Sequence, residues 1–298
     1  MARRGMVIDV GRCIGCYNCF LACRDEHAGN DHRPIALAQP ATGHRWINIR
    51  EQERGSFPKV KVSHIPLLCL QCGEAPCIGA ATSGAVYRRE DGIVLIDPDK
   101  AAGQRDLVSS CPHRVIFWNE AENVPQKCTF CAHLLDAGWK EPRCVEVCPT
   151  QALVFGDLSD PDSEVAKQRA ANAVEELHAE YGLQPSVSFL RLPKRFVTGE
   201  VVLTDKAELA AEGVGISLQR NERVLTTATD NYGDFEFDGL EADVEYVLRI
   251  EHPGYRRHEL SVRTRNDLNV GTILLAPEAR APDALEGSPV VPENHIRA

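Results

Sequence analysis

Apolar and polar residues alternate along the last third of the chain, from about residue 196 onward, between short turns rich in Gly, Asn and Asp. Successive side chains of a strand point to opposite faces of a sheet, so this period of two predicts half-buried β-strands. Seven such segments at short intervals are typical of a small β-sandwich, here over residues 196–277. The segments are FVTGEVVLTD, GVGISLQR, RVLTTATD, DFEFDGL, VEYVLRIEHPGY, HELSVRT and NVGTILLA.

A helical pattern comes before the strands. Over residues 163–182 apolar side chains recur at helical spacing, Asp162 or Ser163 is a suitable N-cap, and Gly182 is a suitable end. We therefore expect a helix over 163–182. Residues 278–298 are rich in Pro and Ala and have no period, which predicts a mobile tail.

The first 150 residues show only short extended pieces, such as MVIDV, WINIRE and GIVLID, without strong periodicity. All twelve cysteines of the chain lie in this part, between Cys13 and Cys148. Short pieces combined with many cysteines indicate that a bound cofactor, rather than a large hydrophobic core, holds this part together.

Charge and targeting patterns exclude several classes of protein. The formal charge is −10, and residues 151–298 carry the acidic excess, with 15 basic against 26 acidic side chains. That balance argues against a nucleic-acid surface, which needs clustered positive charge. No apolar run reaches the roughly 18 residues of a membrane span. The start, MARRGMVIDVGRC, has no apolar stretch before its first cysteine, so six disulfides in a secreted protein are disfavoured and a reducing, cytoplasmic location is expected.

The cysteines fall into four groups, the first of which has the spacing C-x2-C-x2-C-x3-C. In bacterial ferredoxins a run of this kind supplies three thiolates to one 4Fe–4S cluster, while its fourth cysteine binds the other cluster. The remaining groups are altered copies of this run. The four groups are Cys13, Cys16, Cys19 and Cys23; Cys69, Cys72 and Cys77; Cys111; and Cys128, Cys131, Cys144 and Cys148.

Pairing the groups by the ferredoxin rule divides the twelve cysteines into three complete ligand sets with none left over. The fourth set that the rule requires would fall at Ala81, Ala101, Gln104 and Leu107, none of which binds iron. This arithmetic predicts three 4Fe–4S clusters and one site abolished as a unit. The predicted sets are Cys13, Cys16, Cys19 and Cys148 for cluster 1; Cys128, Cys131, Cys144 and Cys23 for cluster 2; and Cys69, Cys72, Cys77 and Cys111 for cluster 3.

Zinc is the alternative metal, since twelve cysteines could also form three sites of four thiolates in a zinc-stabilised scaffold. Zinc sites usually pair two C-x2-C knuckles from separate turns, so three ligands within seven residues favour iron–sulfur clusters. The histidines near the cysteines are interpreted as surface residues or neighbours of the ligands, because cysteines already complete every site; they are His27, His32, His44, His113 and His133. No nucleotide-binding or catalytic motif appears.

The four cysteine groups resemble the iron–sulfur β subunits of the dimethyl sulfoxide reductase family of molybdenum enzymes. The resemblance rests on MVIDVGRCIGCYNCFLACRDEH, GHRWINIREQERG, GAVYRREDGIVLIDPDKA, SSCPHRVIFWNEAENVPQKCTFCAHLLD and the final all-β segment. Within that family, three clusters and an appended β-sandwich are most similar to the small subunits of the pyrogallol–phloroglucinol transhydroxylase and resorcinol hydroxylase type. The motif CVEVCPTQAL, an ordinary ferredoxin ending, departs from that subgroup.

The resemblance implies an electron-transfer subunit without a catalytic residue of its own. Molybdenum or tungsten with bis-pyranopterin guanine dinucleotide is expected in a large partner subunit that acts on hydroxylated aromatics, with a soluble or membrane electron acceptor beyond it. The alternative within the family is the electron-transfer subunit of a respiratory reductase or a formate-type dehydrogenase.

The expected fold class is α+β. We predict a double ferredoxin-like domain over residues 1–160, a helix and connector packed on it over 161–195, and a sandwich over 196–277 that resembles transthyretin-like or carboxypeptidase-regulatory modules.

Overall fold

Two compact units make up the chain. Among the residues that the structure describes, one unit comprises residues 2–54 and 60–193, and the other comprises residues 55–59 and 194–278. The computed structural model describes residues 2–278, so the predicted tail falls, from residue 279 on, outside the described residues.

The helices are short, as the weak periodicity of the first 150 residues leads one to expect. In chain order they are α1 (Asn18–His27), α2 (Pro76–Ala80), α3 (Ala132–Asp136), α4 (Arg143–Glu146) and α5 (Glu164–Ala171), and 3-10 turns cover Val10–Arg12, Arg105–Val108 and Ala179–Tyr181. The strands of the first part of the chain are β1 (Arg4–Asp9), β2 (Ile47–Ser56), β3 (Lys59–Leu68), β4 (Val86–Arg88), β5 (Val94–Ile96), β6 (Phe117–Asn119), β7 (Val124–Gln126), β8 (Leu153–Asp157) and β9 (Val187–Leu190).

In the first unit, β1 lies at the centre of a three-stranded sheet, antiparallel to β8 and parallel to β9. Three two-stranded pairs, β2–β3, β4–β5 and β6–β7, accompany it. The main core of this unit contains large apolar side chains such as Trp46, Phe130 and Phe189, and five of the cysteines are buried within it. A hydrophobic core therefore supports this unit in addition to the cysteine sites, more than the sequence led us to expect.

The prediction of a helix over 163–182 is correct for its start and wrong for its length. Ser163 is the N-cap, and its hydroxyl accepts the N–H of Ala166, but α5 ends at Ala171. Beyond it, Glu175 pairs with Phe189 through backbone hydrogen bonds of 2.8 Å in both directions. Pairing with the edge of the sheet satisfies the backbone there and replaces further helical turns.

In the second unit all seven alternating segments form strands. These are β10 (Arg195–Leu203), β11 (Gly215–Arg220), β12 (Arg223–Ala228), β13 (Asp234–Leu240), β14 (Glu245–Glu251), β15 (His258–Arg263) and β16 (Leu268–Leu275). They form sheets of order β13–β10–β16 and β12–β11–β14–β15, and side chains of both sheets share one hydrophobic cluster. The alternation of apolar and polar residues thus gives each sheet one buried face. The likeness to transthyretin-like or carboxypeptidase-regulatory modules stays a prediction.

Among residues 2–278, no helix is both long and apolar enough to cross a membrane.

Candidate iron–sulfur sites

Three of the four C-x2-C loops of the first unit, those that end at Cys16, Cys72 and Cys131, turn in the same way. In each loop the residue before the second cysteine has a left-handed backbone: Gly15, Gln71 and Phe130, with φ of 68°, 50° and 52°. Only the first is a glycine, and this conformation is uncommon for other residues. The turn directs backbone N–H groups toward sulfur, since Phe130 N lies 3.4 Å from Cys128 Sγ and the Gly15 N–H bonds the Cys13 thiol.

Site A contains the four cysteines predicted for cluster 1. Cys13, Cys16, Cys19 and Cys148 line one cleft with about 310 Å³ free of protein atoms. Cys148 arrives from the end of the cysteine-rich region, 125 residues or more from the other three. The backbone N–H of Ala152 lies 3.3 Å from Cys148 Sγ. Cys16 is exposed, so site A reaches the surface of its unit.

Site B contains the cysteines predicted for cluster 2: Cys23, Cys128, Cys131 and Cys144, all of them buried. Burial, followed by the nearby thiols of Cys131, Cys128 and Cys23, raises the pKa of Cys144 well above its ordinary value. Burial likewise raises the pKa of Cys131 to about 11. The N-terminal helix α1 supplies Cys23 and packs against α4, which supplies Cys144.

Site C contains the cysteines predicted for cluster 3. Cys69, Cys72, Cys77 and Cys111 line a cleft with about 380 Å³ free of protein atoms, walled by apolar residues and by Lys127. Burial, followed by the thiols of Cys69, Cys111 and Cys77, raises the pKa of Cys72 to about 12.

Three consecutive backbone N–H groups, those of His113, Arg114 and Val115, bond the Cys111 thiol. Such donors stabilise negative charge on a metal-bound sulfur.

The donor chemistry of these sites fits iron–sulfur clusters. Each site gathers four sulfur atoms, and soft thiolates are the ligands that such clusters take. Thiolates in this number repel one another, which is why their neighbours raise the pKa of Cys19 and Cys72 in addition to burial. A cationic iron core would offset that repulsion. The structure thus brings together each predicted set of four, while the role of these residues as iron ligands stays a prediction.

Site B adjoins both of the other sites. Cys144 and Cys23 of site B interact electrostatically with Cys19 of site A, and Cys128 does so with Cys69 of site C. Electron carriers arranged in this way would form a series in which site B lies in the middle.

A polar network that the cysteine pattern did not indicate connects the segments that carry the cysteines of sites B and C. The side chain of Gln71 accepts the N–H of Val94 at 2.8 Å and donates to the carbonyl of Cys128 at 3.2 Å. The Nζ of Lys127 donates to the carbonyls of the same two residues, at 3.1 Å for Cys128. Lys127 is only 3% exposed, so a buried cation separates the two groups of thiols.

The four positions at which the ferredoxin rule would place a fourth ligand set lie in or beside a small hydrophobic core. Ala81, Ala101 and Leu107 pack into one cluster with Cys77 of site C. Gln104, the fourth position, hydrogen bonds with the backbone of Thr82, next to Ala81. The four positions that spacing alone selected therefore lie together, and they interact through apolar packing and backbone hydrogen bonds.

Sequence reasoning missed Gln71, Lys127 and a group of three histidines, His27, His32 and His133. The signal available for Lys127 was its position directly before Cys128. No local signal links the histidines, which are up to 106 residues apart.

Comparison with known proteins agrees with the geometry of the sites. The model of the 4Fe–4S dicluster domain matches residues 60–158. The arsenate respiratory reductase iron–sulfur subunit of Shewanella sp. (strain ANA-3) is 30% identical over 63% of this chain and 96% of its own length. A sulfite dehydrogenase subunit of Allochromatium vinosum is 34% identical over 65% of this chain and 85% of its own length.

The chain therefore belongs to the iron–sulfur subunits of the dimethyl sulfoxide reductase family of molybdenum enzymes, and it is an electron-transfer subunit. A third relative is similar to this chain over a larger share of its length than the arsenate and sulfite relatives are. The pyrogallol hydroxytransferase small subunit of Pelobacter acidigallici is 39% identical over 277 residues, which are 91% of this chain and 98% of that protein.

Proposed function

We propose that this chain carries three 4Fe–4S clusters and serves a molybdopterin-dependent hydroxylase or transhydroxylase that acts on hydroxylated aromatics of the pyrogallol, phloroglucinol or resorcinol type. The observation that carries the proposal is the extent of similarity to the pyrogallol hydroxytransferase small subunit, 91% of the chain against 63% and 65% for the arsenate and sulfite relatives.

The clusters would be held by the three sets of thiolates at sites A, B and C, and would supply one-electron carriers. The remaining work belongs to the protein. Burial excludes water from Cys128 and Cys144, and backbone N–H groups hydrogen bond the sulfurs of Cys13, Cys128 and Cys111. Hydrogen bonds, burial and nearby charge are the means by which a protein sets the reduction potential of a cluster.

The proposal includes a large cytoplasmic partner that holds molybdenum or tungsten with two pyranopterin guanine dinucleotides and performs the chemistry. This chain would relay electrons to or from that partner, or buffer its redox state.

The test is anaerobic purification of the chain with its neighbouring large subunit. We expect a brown complex that absorbs near about 400 nm, contains about twelve irons in each small subunit, and acts on pyrogallol or resorcinol. The small subunit alone is expected to be inactive on both phenols. A colourless protein with three zincs would establish the zinc scaffold instead, and turnover by the isolated polypeptide would refute a non-catalytic role.

The respiratory relatives support a second candidate, an electron-transfer subunit of a reductase or dehydrogenase for an inorganic or one-carbon substrate. A brown, twelve-iron complex that reduces arsenate or oxidises sulfite or formate, and leaves phenols untouched, would favour this candidate.

A further inference from the structure

Three histidine side chains meet beside site B. His27 is the last residue of α1, His32 lies in the loop that follows, and His133 belongs to α3. One ring nitrogen from each can be chosen so that all three lie within 4.8 Å of one another. The rings of His32 and His133 stack with centroids 3.7 Å apart, and the ring of His27 stands edge-on to both at 5.2 Å.

The Nε2 atom of each ring faces a hydrogen-bond acceptor. His133 Nε2 lies 2.8 Å from the Glu26 carboxylate, and His32 Nε2 lies 2.9 Å from the Glu26 backbone carbonyl. Both partners can only accept from the ring, so Nε2 carries the proton and Nδ1 is left with a lone pair.

His27 Nε2 lies 3.7 Å from Cys131 Sγ. A thiolate there accepts the Nε2 proton of His27 and fixes the same tautomer, a step that rests on the proposed role of Cys131 as a ligand.

The unprotonated Nδ1 atoms of His27 and His133 are buried. Neither has a hydrogen-bond partner among the described residues. The His27 side chain belongs to a residue only 1% exposed. A buried polar atom without a partner costs about 1–3 kcal/mol, so two of them in one cluster point to a missing ligand.

We propose that the Nδ1 atoms of His27, His32 and His133 bind one divalent transition-metal ion, Zn²⁺, at a site separate from the cysteine sites. Neutral imidazole is a common zinc ligand, and three histidines leave one coordination position for water. The Glu26 carboxylate that holds His133 Nε2 is the usual outer partner of a zinc-bound histidine, because it fixes the ring and increases its basicity. Arg143, 3.4 Å from the other Glu26 oxygen, holds that carboxylate in turn.

The ion would connect α1, the loop after it and α3, elements that carry Cys23 and adjoin Cys131 of site B. It is therefore proposed as a structural ion that holds together the elements around site B. Its fourth coordination position is open to water, and no reaction is assigned to it.

The test uses the complex with its large subunit, isolated anaerobically and dialysed against a slight excess of Zn²⁺ followed by metal-free buffer. Elemental analysis is expected to find about one zinc for each small subunit in addition to the cluster iron. The zinc absorption-edge fine structure is expected to show nitrogen at about 2.0–2.1 Å rather than sulfur at about 2.3 Å. Since this measurement needs no variant, it stands even if a substitution disturbs folding.

The variants His32→Ala and His133→Ala should each lower the zinc content by about tenfold or more while the iron content stays unchanged. His44→Ala is the matched control. His44 is also buried and bonds a carbonyl through Nε2 at 3.0 Å. Within residues 2–278 its Nδ1 has no hydrogen-bond partner and it belongs to no such trio.

Three results would overturn the proposal: no zinc in the wild-type complex, zinc bound through sulfur, or zinc retained in both variants. The iron content distinguishes a failure of the histidine-site proposal from a failure of the proposed function. A complex with full iron and no zinc refutes only the histidine site, and one with zinc on sulfur and no iron refutes the clusters.

Discussion

The side chain of Gln104 binds both backbone groups of Thr82: its Oε1 accepts the Thr82 N–H at 3.0 Å, and its Nε2 donates to the Thr82 carbonyl at 3.3 Å. Gln104 is one of the four positions at which the ferredoxin rule would place a ligand of a fourth cluster. Its side chain thus holds the loop in which another of these positions, Ala81, lies.

We expect Gln104→Ala to destabilise the chain by about 1–2 kcal/mol, because three backbone groups lose a partner: the N–H and carbonyl of Thr82 and the carbonyl of Lys100. For a chain of this size that corresponds to a fall in Tm of roughly 2–6 °C, measured by thermal unfolding of the anaerobic protein. Gln168→Ala, on the exposed face of α5 where Gln168 bonds Glu164, is the control and should change stability by less than about 0.5 kcal/mol. Equal effects of the two substitutions would refute a bracing role for Gln104.

Cys111→Ala should remove the cluster of site C and leave the other two. Cys111 is one of four thiols at site C and does not line site A. We expect the iron content to fall from about twelve to about eight for each chain, with two of three signals left in the electron paramagnetic resonance spectrum of the reduced protein. Ser110→Ala, one residue away, is the control. Retention of all twelve irons, or a fall to four, would contradict the assignment of Cys111 to this site.

The crossing of ligands between the first and last cysteine groups can be tested by comparing spectra. Cys148→Ala should abolish the same paramagnetic signal as Cys13→Ala, because both thiols line site A. Cys23→Ala should abolish the same signal as Cys144→Ala, because those thiols meet at site B. If Cys148→Ala instead matched Cys144→Ala, each run would bind its own cluster, and the ferredoxin pairing would be incorrect.

Lys127→Met should lower the reduction potential of the cluster at site C. The ammonium group lines that cleft, and it partly offsets the burial that raises the pKa of Cys77, one of the four site C thiols. A buried positive charge stabilises the reduced, more negative cluster. If its removal costs at least about 1 kcal/mol of that stabilisation, the reduction potential falls by roughly 40 mV for a one-electron couple. Redox titration followed by paramagnetic resonance measures this shift.

Lys100→Met is the control for the titration, since Lys100 is exposed and paired with Asp97. An unchanged site C potential in Lys127→Met, with all three clusters present, would show that the network around Val94 has a purely structural role.

The strands of the second unit could be predicted because alternation is a local property. All seven segments form strands, since each buries one face in a core shared by two sheets. The end of α5 at Ala171 could not be predicted in the same way. Its apolar spacing continues to Leu177, but Glu175 finds a backbone partner in Phe189, and that partner comes from the fold.

The grouping of the cysteines was likewise within reach of the sequence. The number of thiolates and their spacing restrict which sets of four can close, and the positions gathered at sites A, B and C follow from that restriction. The same repeat selected Ala81, Ala101, Gln104 and Leu107, and the structure places these four positions together, while a lost cluster site there stays a prediction.

The surroundings of the sites were decided by tertiary structure alone. Gln71 and Lys127 meet at Val94 and Cys128 because two distant loops pack together, and His133 reaches His27 across more than a hundred residues. Ligand chemistry imposes a spacing that can be read along the chain. Buried charges and tautomers depend on which side chains the completed fold places within hydrogen-bond distance, and no local pattern records that.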